Sequence, residues 1–206
     1  MASAVWQQFL ENIRNTGWME FIAVIAGIGS VWFSRKENIL VYPIGLINTT
    51  FFVYLSLKFH LYGEASVNFY YSVMSIYGWI LWSKRDRDHH HTLKITPSSG
   101  QEWFEQVLFF MVCYSFLFAV LTMLKQAFAA AAIPWADALA SASAYTGMWL
   151  MAKKKIESWY WWIITNIASI PLYFVKGLAF TSFQYVILLV LAVSGLFSWQ
   201  KKFKVQ

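Results

Sequence analysis

The sequence predicts an all-α integral membrane protein with seven transmembrane helices, arranged as two parallel three-helix repeats joined by a linking helix. Its composition is the first reason: hydrophobic residues make up 59% of the 206 residues and charged residues only 13%, about half of the charged fraction of a soluble domain. Aromatic residues reach 20%, with 12 tryptophans, and Trp and Tyr are enriched where helices meet a membrane surface. Seven apolar stretches and an internal repeat are the other two reasons.

Each predicted span is a stretch of mostly apolar residues close to the roughly 20 that a transmembrane helix needs. The spans are 17–33, 39–57, 65–82, 103–124, 135–152, 158–175 and 180–199. Residues 1–15 are predicted to form an amphipathic helix at the membrane surface, with no signal peptide. The predicted divisions of the chain are an N-terminal segment (1–16), a first repeat (17–83), a loop with the linking helix (84–134), and a second repeat with a basic tail (135–206).

The second half of the chain repeats the first. Polar as well as apolar positions correspond, and the interval between partners is constant to within one residue: Trp32 and Trp149, Asn48 and Asn166, Lys58 and Lys176, Gly78 and Gly195, Trp82 and Trp199. Four helices separate the two copies, so both copies have the same orientation in the membrane. Parallel repeats of this kind occur in transporters.

The basic residues predict the orientation of the chain. Most of the 16 Lys and Arg follow the first, third, fifth and seventh spans, and cytoplasmic loops carry an excess of such residues. They are Arg35, Lys36, Lys84, Arg85, Arg87, Lys94, Lys153, Lys154, Lys155, Lys201, Lys202 and Lys204. The N-terminus is therefore predicted outside and the C-terminus in the cytoplasm. This distribution also accounts for the positive net charge, so we predict no nucleic-acid partner.

Three of the predicted helices carry a stripe of polar and aromatic residues along one face, because their spacings alternate between three and four residues. The stripes are Trp159, Trp162, Asn166, Ser169 and Tyr173 on the sixth helix; Glu64, Asn68, Tyr71, Ser75, Gly78 and Trp82 on the third; and Gly45, Asn48 and Phe52 on the second. Unpaired polar groups are costly in hydrocarbon, so the stripes are predicted to face the protein interior.

Two interpretations of these stripes remain open. Asn and Ser side chains commonly join neighbouring membrane helices by hydrogen bonds. Alternatively, the stripes form a binding site, in which Asn offers a donor and an acceptor and the Trp and Tyr rings stack on a flat solute. We favour a site for a polar aromatic solute.

The sequence also argues against several other functions. No carboxylate lies at the centre of a predicted span, since Glu20, Glu64 and Asp137 fall near the outer ends, so passive transport is favoured over proton coupling. No paired nucleophile and base, phosphate loop or cofactor motif is visible, so an enzyme and a cofactor are not predicted. Residues 86–91 include three histidines in a charged loop, where metal binding is not expected. The small residues of 141–147 are predicted to allow close helix packing.

Two long segments, "KENILVYPIGLINTTFFVYLSLKFHLYGEASVNFYYSVMSIYGWILW" and "WADALASASAYTGMWLMAKKKIESWYWWIITNIASIPLYF", resemble the PnuC family of bacterial vitamin transporters. The resemblance extends from about residue 17 over almost the whole chain. It implies a homotrimer with a three-plus-one-plus-three helix fold in the bacterial cytoplasmic (inner) membrane. It also implies facilitated diffusion of nicotinamide riboside, which a cytoplasmic kinase then traps by phosphorylation.

The resemblance also implies roles for individual residues. The family's W-x-x-W/F/Y and N/Q-x-x-aromatic/Lys motifs match Trp159 to Trp162 and Asn68 to Tyr71, although residue 42 is Tyr where the family pattern has Trp. Trp159 and Trp162 would enclose the pyridinium ring, with Trp159 acting partly as a gate. Hydrogen bonds to the ligand would come from Asn68 and Tyr71 at one polar end and from Asn166 and Asn48 at the ribose or amide.

Related transporters leave the ligand open among vitamins, since family relatives carry thiamine or riboflavin. A sugar transporter of the SWEET or PQ-loop class is a further alternative, although no Pro-Gln dipeptide occurs in the sequence. A purely structural membrane protein would not need aligned aromatic and amide stripes in both repeats.

Overall fold

The computed structural model describes residues 17–58, 62–85, 92–125 and 133–205. Within them it forms seven α-helices: α1 (Trp18–Arg35), α2 (Val41–Lys58), α3 (Tyr62–Ser83), α4 (Gly100–Leu124), α5 (Pro134–Ala152), α6 (Ser158–Val175) and α7 (Ala179–Phe203). These helices match the seven predicted spans to within a few residues at each end. The predicted amphipathic helix at 1–15 and the histidine-rich run at 86–91 lie outside the described residues.

Local sequence signals account for several helix ends. A capping box starts α4, because the Ser99 hydroxyl accepts a hydrogen bond from the Glu102 backbone while the Glu102 carboxylate accepts one from the Ser99 backbone. Pro134 occupies the first turn of α5, where a missing N–H costs nothing. Gly177 ends α6 with a φ of 79°, a left-handed conformation that favours glycine.

Six of the helices form a closed ring. In each repeat the middle helix packs between its two neighbours, so α2 lies between α1 and α3, and α6 lies between α5 and α7. The repeats join at two places, where α1 packs on α7 and α3 packs on α5. The linking helix α4 stays outside the ring and packs on α5. This arrangement confirms the predicted layout of two three-helix units and a linking helix.

One end of this ring carries most of the basic residues, and we call it the basic end. Arg35 ends α1 there and Lys36 follows it, the lysines at 153–155 follow α5, and Lys201, Lys202 and Lys204 lie at the end of α7. Direct contacts hold these helix ends together, such as the hydrogen bond from Arg35 to Ser198 at 3.3 Å. The positively charged segments of both repeats therefore meet on one face of the molecule.

Polar residues are buried and large apolar ones are exposed, which is the reverse of a soluble protein. Buried polar side chains include Gln106, Ser143 and Thr146, each 0% exposed. The outer face of α4 instead exposes Phe104 and Phe116 at 67% and 66%. A continuous exposed apolar surface of this kind suits a lipid environment, whereas water would disfavour it.

By length and composition alone, α4 and α7 are the described helices that could cross a membrane. Of the ring helices, α2, α3 and α6 carry the polar stripes, which lower their mean hydropathy. The outer helix α4 joins the ring through a buried hydrogen bond of 2.8 Å, which the Trp161 indole donates to Gln106. Phe110 packs against the same indole with ring centroids 4.8 Å apart.

The most buried helix is α5, which contacts α3, α4 and α6. Its small residues allow this close approach, since Ala142, Ser143, Ala144, Thr146 and Gly147 are all buried. The packing role predicted for residues 141–147 is confirmed. A large side chain at any of these positions would push apart two or more helices.

Candidate functional site

An aromatic cluster lies where the two repeats meet between α3 and α5. It consists of Tyr70 and Tyr71 from α3, Tyr145 from α5 and Trp162 from α6. The Tyr71 ring lies 6.3 Å from Trp162 at an interplanar angle of 52°, and also 6.3 Å from Tyr145. Tyr70 packs on Tyr145 at 4.6 Å and donates a hydrogen bond of 3.1 Å to its carbonyl oxygen. Rings from both repeats thus surround one point.

Gly147 supports the Trp162 indole on α5. A methyl group added at Gly147 would lie 3.3 Å from three atoms of that ring system, which is closer than most real contacts of this kind. The indole therefore rests directly on the α5 backbone. Tyr145, two residues earlier on the same helix, contacts Tyr71 from the neighbouring side.

The repeat symmetry is broken at this cluster. By the repeat interval, Trp162 corresponds to Gly45 and Gly147 to Ser30. In the first repeat two small residues face each other, since a methyl group on Gly45 would lie 3.1 Å from the Ser30 hydroxyl. The second repeat places a tryptophan against a glycine instead. Of these two equivalent positions, only the one in the second repeat carries a large flat ring, so the first repeat has no counterpart to Trp162.

Asn166 follows Trp162 by one helical turn on the same face of α6 and is only 3% exposed. Within the described parts of the chain, no hydrogen bond from its side-chain amide is found, although buried amides nearly always have a partner. An amide at this position offers two donors and an acceptor beside the aromatic cluster.

Asn48 has a partner within the protein. Its amide nitrogen donates a hydrogen bond of 2.7 Å to the Ala23 carbonyl oxygen on α1. A methyl group on Gly27 would come within 2.8 Å of the same nitrogen, so the two helices are in close contact here. In this conformation Asn48 joins α2 to α1, and the role in ligand binding that we predicted for it stays a prediction.

The third-helix stripe faces the interior of the ring. Asn68 and Tyr71 are half-buried, whereas Ser75, Gly78 and Trp82 are buried. Asn68 lies one turn before Tyr71, on the side of the aromatic cluster away from the basic end. The Glu64 side chain falls outside the described part of the chain.

Trp159 lies deeper, toward the basic end, and belongs to a second group of rings. Its side chain is 1% exposed and meets Trp199 edge-on, with centroids 5.5 Å apart at 90°. Tyr42 holds the corresponding position in the first repeat and meets Trp82 at 5.1 Å and 87°. Trp162 packs against this group, so the aromatic cluster adjoins it. The structure thus separates the two tryptophans of the sixth-helix motif between two environments.

The aromatic cluster is uncharged. Within the described residues, the buried charged side chains are Lys154 and Glu157, and both lie at the basic end. At the opposite end of α6, Lys176 is paired with Asp137 at 2.6 Å. An uncharged site with ring faces and amides suits a flat solute that bears hydroxyl or amide groups, and it suits a cationic ring through cation–π contact.

Sequence reasoning missed Tyr145 and Gly147 as parts of this site. Both lie in the 141–147 segment, which was interpreted as a packing face because its residues are small. A tyrosine two residues before a glycine in that segment was the available signal. It could not be connected to Tyr71 and Trp162 without knowing that α3 packs on α5.

The chain was also compared with known proteins. The family model described as nicotinamide mononucleotide transporter matches residues 17–201. The nicotinamide riboside transporter PnuC of Escherichia coli K12 is 27% identical over 202 residues, covering 88% of this chain and 84% of the relative. That of Neisseria mucosa is 28% identical over 198 residues, covering 91% of this chain and 73% of the relative.

A relative with a different named substrate also matches. The riboflavin/roseoflavin transporter RibM of Streptomyces davaonensis is 23% identical over 182 residues, covering 88% of this chain and 84% of the relative. Among solved structures, the crystal structure of the vitamin B3 transporter PnuC superimposes with a TM-score of 0.70 at 25% identity, covering 96% of this chain and 87% of that chain. All of these relatives are named as transporters. With the family model matching nearly every described helix, the chain belongs to the nicotinamide mononucleotide transporter family.

Proposed function

We propose that this protein carries nicotinamide riboside across the bacterial cytoplasmic membrane by facilitated diffusion. The observation that carries the proposal is the uncharged aromatic cluster at the junction of the two repeats, next to the buried amide of Asn166. Two relatives named as nicotinamide riboside transporters support the choice of ligand.

The ligand's three parts match the residues around the cluster. Its pyridinium ring is flat and cationic, and Trp162 and Tyr71 attract such a ring through their faces. Asn166 hydrogen-bonds the ribose or the carboxamide, and Asn68 with Tyr71 binds the other polar end. Asn48 contributes through its amide oxygen, since its nitrogen already bonds Ala23.

Binding of the ring requires the repeats to move. A ring stacked between two others needs centroids about 7 Å apart, twice the usual contact distance of about 3.5 Å, whereas Tyr71 and Trp162 lie 6.3 Å apart and are tilted. Tyr71 belongs to the first repeat and Trp162 to the second. Inserting the ligand between them therefore separates the repeats slightly, which couples binding to the relative motion that transport needs.

The lack of charge in the cluster favours the riboside over the mononucleotide. A phosphate group is bound by Arg, Lys or a helix N-terminus, and the buried cation Lys154 lies at the basic end, where Glu37 neutralises it. A carrier of this type only equilibrates its substrate. Phosphorylation by a cytoplasmic riboside kinase would give a product that the uncharged cluster no longer accepts, so the riboside would accumulate as its phosphate.

The proposal includes an orientation and an assembly. The basic end faces the cytoplasm, the N-terminus is outside and the C-terminus is inside, because basic loops are retained on the cytoplasmic side. The protein assembles as a homotrimer, and the apolar face of α4 leaves room for such contacts outside the ring. Native mass measurement in detergent and labelling of each terminus in intact cells test these two points.

The function is tested by calorimetric titration of the purified protein with nicotinamide riboside, nicotinamide mononucleotide, thiamine, riboflavin and glucose. We expect binding of the riboside alone. Preferential binding of the mononucleotide would contradict the electrostatic argument, and binding of riboflavin would move the specificity to that of the Streptomyces relative. Binding of none of the five would refute the proposal.

The site is tested with Trp162→Ala. Losing one stacking face is worth about 1–3 kcal/mol, which corresponds to a roughly 5- to 150-fold weaker affinity for the riboside. Trp79→Ala is the matched control, because Trp79 lies on α3 but points outward and is 40% exposed. Equal affinities of the two variants would remove Trp162 from the site.

A further inference from the structure

Residues that correspond between the two repeats contact each other at the basic end. Ser34 donates a hydrogen bond of 2.9 Å to the Met151 sulfur, and these positions are 117 residues apart. Glu37 and Lys154, also separated by 117, form an ion pair of 2.7 Å. A residue can touch its own counterpart only on a twofold axis, so the pseudo-twofold axis of the ring passes through this point.

Glu37 and Lys154 share an unusual backbone. Their φ angles are 60° and 52°, and within the described parts of the chain they are the non-glycine residues with positive φ. Such residues are uncommon and cost free energy unless the surroundings hold them. The same strained turn thus occurs in both repeats, and it points two opposite charges at each other across the axis.

The pair is well enclosed. The side chains are 4% exposed for Lys154 and 17% for Glu37. The Lys154 ammonium also donates to the Leu93 carbonyl oxygen at 3.0 Å and lies 4.7 Å from the centre of the Trp82 ring system. Lys202 approaches the second Glu37 oxygen at 3.1 Å. Enclosed pairs are costly to break when one partner is removed.

Next to the ion pair, four aromatic side chains close the space enclosed by the six helices. Trp82 and Trp199, which correspond between repeats, lie 6.1 Å apart, with Tyr42 and Trp159 packed against them. Each of the first two indoles donates a hydrogen bond to the opposite repeat, Trp82 to Ala152 and Trp199 to Ser34. The seal therefore consists of contacts between repeats, which must break if the repeats move apart here.

The segment that joins α3 to α4 completes the closure. Ile95 in this segment is 1% exposed and packs into the same group of rings. Backbone hydrogen bonds hold it in place, from Thr96 to the Lys154 carbonyl at 3.2 Å and from Ile156 to the Thr96 carbonyl at 3.1 Å. Lys154, which forms the ion pair, thus also holds this segment in place. We call Ile95, the buried residue of the segment, the plug.

The closed arrangement has a built-in penalty. Among the described residues, no hydrogen-bond partner is found for the buried Tyr42 hydroxyl or for the buried Trp159 indole nitrogen, and these two groups occupy corresponding positions in the two repeats. A buried polar group that lacks a partner costs about 1–3 kcal/mol. Water would hydrogen-bond both groups once the seal opened. The two groups therefore lower the free energy that opening requires, and other contacts hold the closed state together.

We propose that the Glu37–Lys154 ion pair is the latch of a gate at the basic end, and that breaking it withdraws Ile95 and opens the transport path on that side. This inference rests on the proposed transport function. Both residues are positioning residues, because they act on the path and do not touch the ligand. The path would open between the two repeats, along the pseudo-twofold axis where Glu37 and Lys154 now meet.

The latch is tested through the accessibility of Ile95. Cys113 is the only cysteine of the chain, so Cys113→Ser with Ile95→Cys gives a single thiol in the plug. Its alkylation rate is measured with a water-soluble maleimide on detergent-purified protein, where neither membrane orientation nor any ligand matters. We expect slow labelling in this background. Glu37→Gln or Lys154→Gln should each raise the rate at least tenfold.

A charge exchange separates a latch from a merely structural pair. Because the two residues share one backbone conformation, Glu37→Lys with Lys154→Glu should restore an ion pair, although a carboxylate at residue 154 loses the contacts with Leu93 and Trp82. The labelling rate should therefore fall at least threefold below that of the single variants. The exchanged variant, and the single variants with which it is compared, all also carry Lys202→Gln, because Lys202 would otherwise face the introduced lysine. Labelling of the exchanged variant as fast as in the single variants would overturn the proposal.

Asp137→Asn is the matched control. Its partner Lys176 lies at 2.6 Å and each of the two side chains is 18% exposed, but this pair is inside one repeat and at the other end of the ring. It should leave the labelling rate unchanged. An equal increase from Asp137→Asn would mean that general loosening exposes Ile95, which also overturns the latch. Since no substrate is needed, failure of the latch is distinguishable from failure of the proposed transport function.

Discussion

Replacing Gly195 with alanine should lower the stability of the protein, for a reason that is specific to its position. A methyl group at Gly195 would overlap the Trp159 indole, with two of the ring atoms at 2.5 and 2.6 Å. The indole cannot retreat, since it is 1% exposed and meets Trp199 on its far side. Overpacking of this type costs about 1–3 kcal/mol, and the better helix propensity of alanine returns about 0.5–1 kcal/mol.

The expected net loss is therefore up to about 2.5 kcal/mol, which corresponds to a fall of up to roughly 10 °C in the thermal midpoint for a chain of this size. Thermal unfolding of the detergent-purified protein without ligand measures it. Gly29→Ala is the control, because the nearest atom to its methyl group would be an Ile44 methyl at an ordinary 3.7 Å. There we expect a rise in the midpoint. A midpoint that rises equally in both variants would refute the close packing of Trp159 on Gly195.

Two further predictions follow from individual contacts. Asn48→Ala removes the hydrogen bond to Ala23 and should cost about 0.6–2 kcal/mol in stability. Because the Asn48 amide oxygen is proposed to bind the ligand, the variant should also weaken the riboside affinity by roughly 2- to 13-fold in calorimetry, the equivalent of one hydrogen bond of about 0.5–1.5 kcal/mol; an unchanged affinity would remove Asn48 from the site. Burial raises the pKa of Glu37, but the neighbouring Lys154 and Lys202 outweigh this effect and hold that pKa below its ordinary value of 4.5. The ionised Glu37 therefore stabilises the folded protein above the unfolded-state pKa, and this stabilisation is lost as the pH falls through the lower folded-state pKa. The difference in thermal midpoint between wild type and Glu37→Gln should thus stay constant from about pH 6 to about pH 8 and shrink below about pH 4; a difference that changes between pH 6 and 8 would contradict it.

The seven helices and their grouping were predictable because they depend on information that lies along the chain. Apolar stretches of sufficient length, capping residues such as Ser99 and the recurrence of Gly78 at Gly195 are all visible in the sequence. The face of each helix that turns inward was also predictable, since the spacing of Trp162 and Asn166 on α6 follows the helical period. Burial of Asn166 agrees with that reasoning.

The partners of those inward faces were less predictable. The sixth-helix stripe places Trp159 and Trp162 on one face, but it does not reveal that Trp159 packs on Gly195 while Trp162 rests on Gly147. Asn48 and Asn166 correspond in sequence, yet one bonds a neighbouring helix and the other has no partner in the described parts of the chain. These differences depend on which helix lies opposite, and each of the three contacts joins residues on different helices.

The sequence determined the helices, their inward faces, the basic end and the repeat, because periodicity, charge and internal similarity are properties of the chain alone. The closing of the ring through α1 with α7 and α3 with α5 settled everything that involves both repeats. That packing brings Tyr71 to Trp162, sets Glu37 against Lys154 and carries Ile95 into the seal. The physical reason is that a pseudo-twofold axis creates contacts between residues more than 100 positions apart, such as the 117 that separate Glu37 from Lys154, and no local pattern encodes which of them meet.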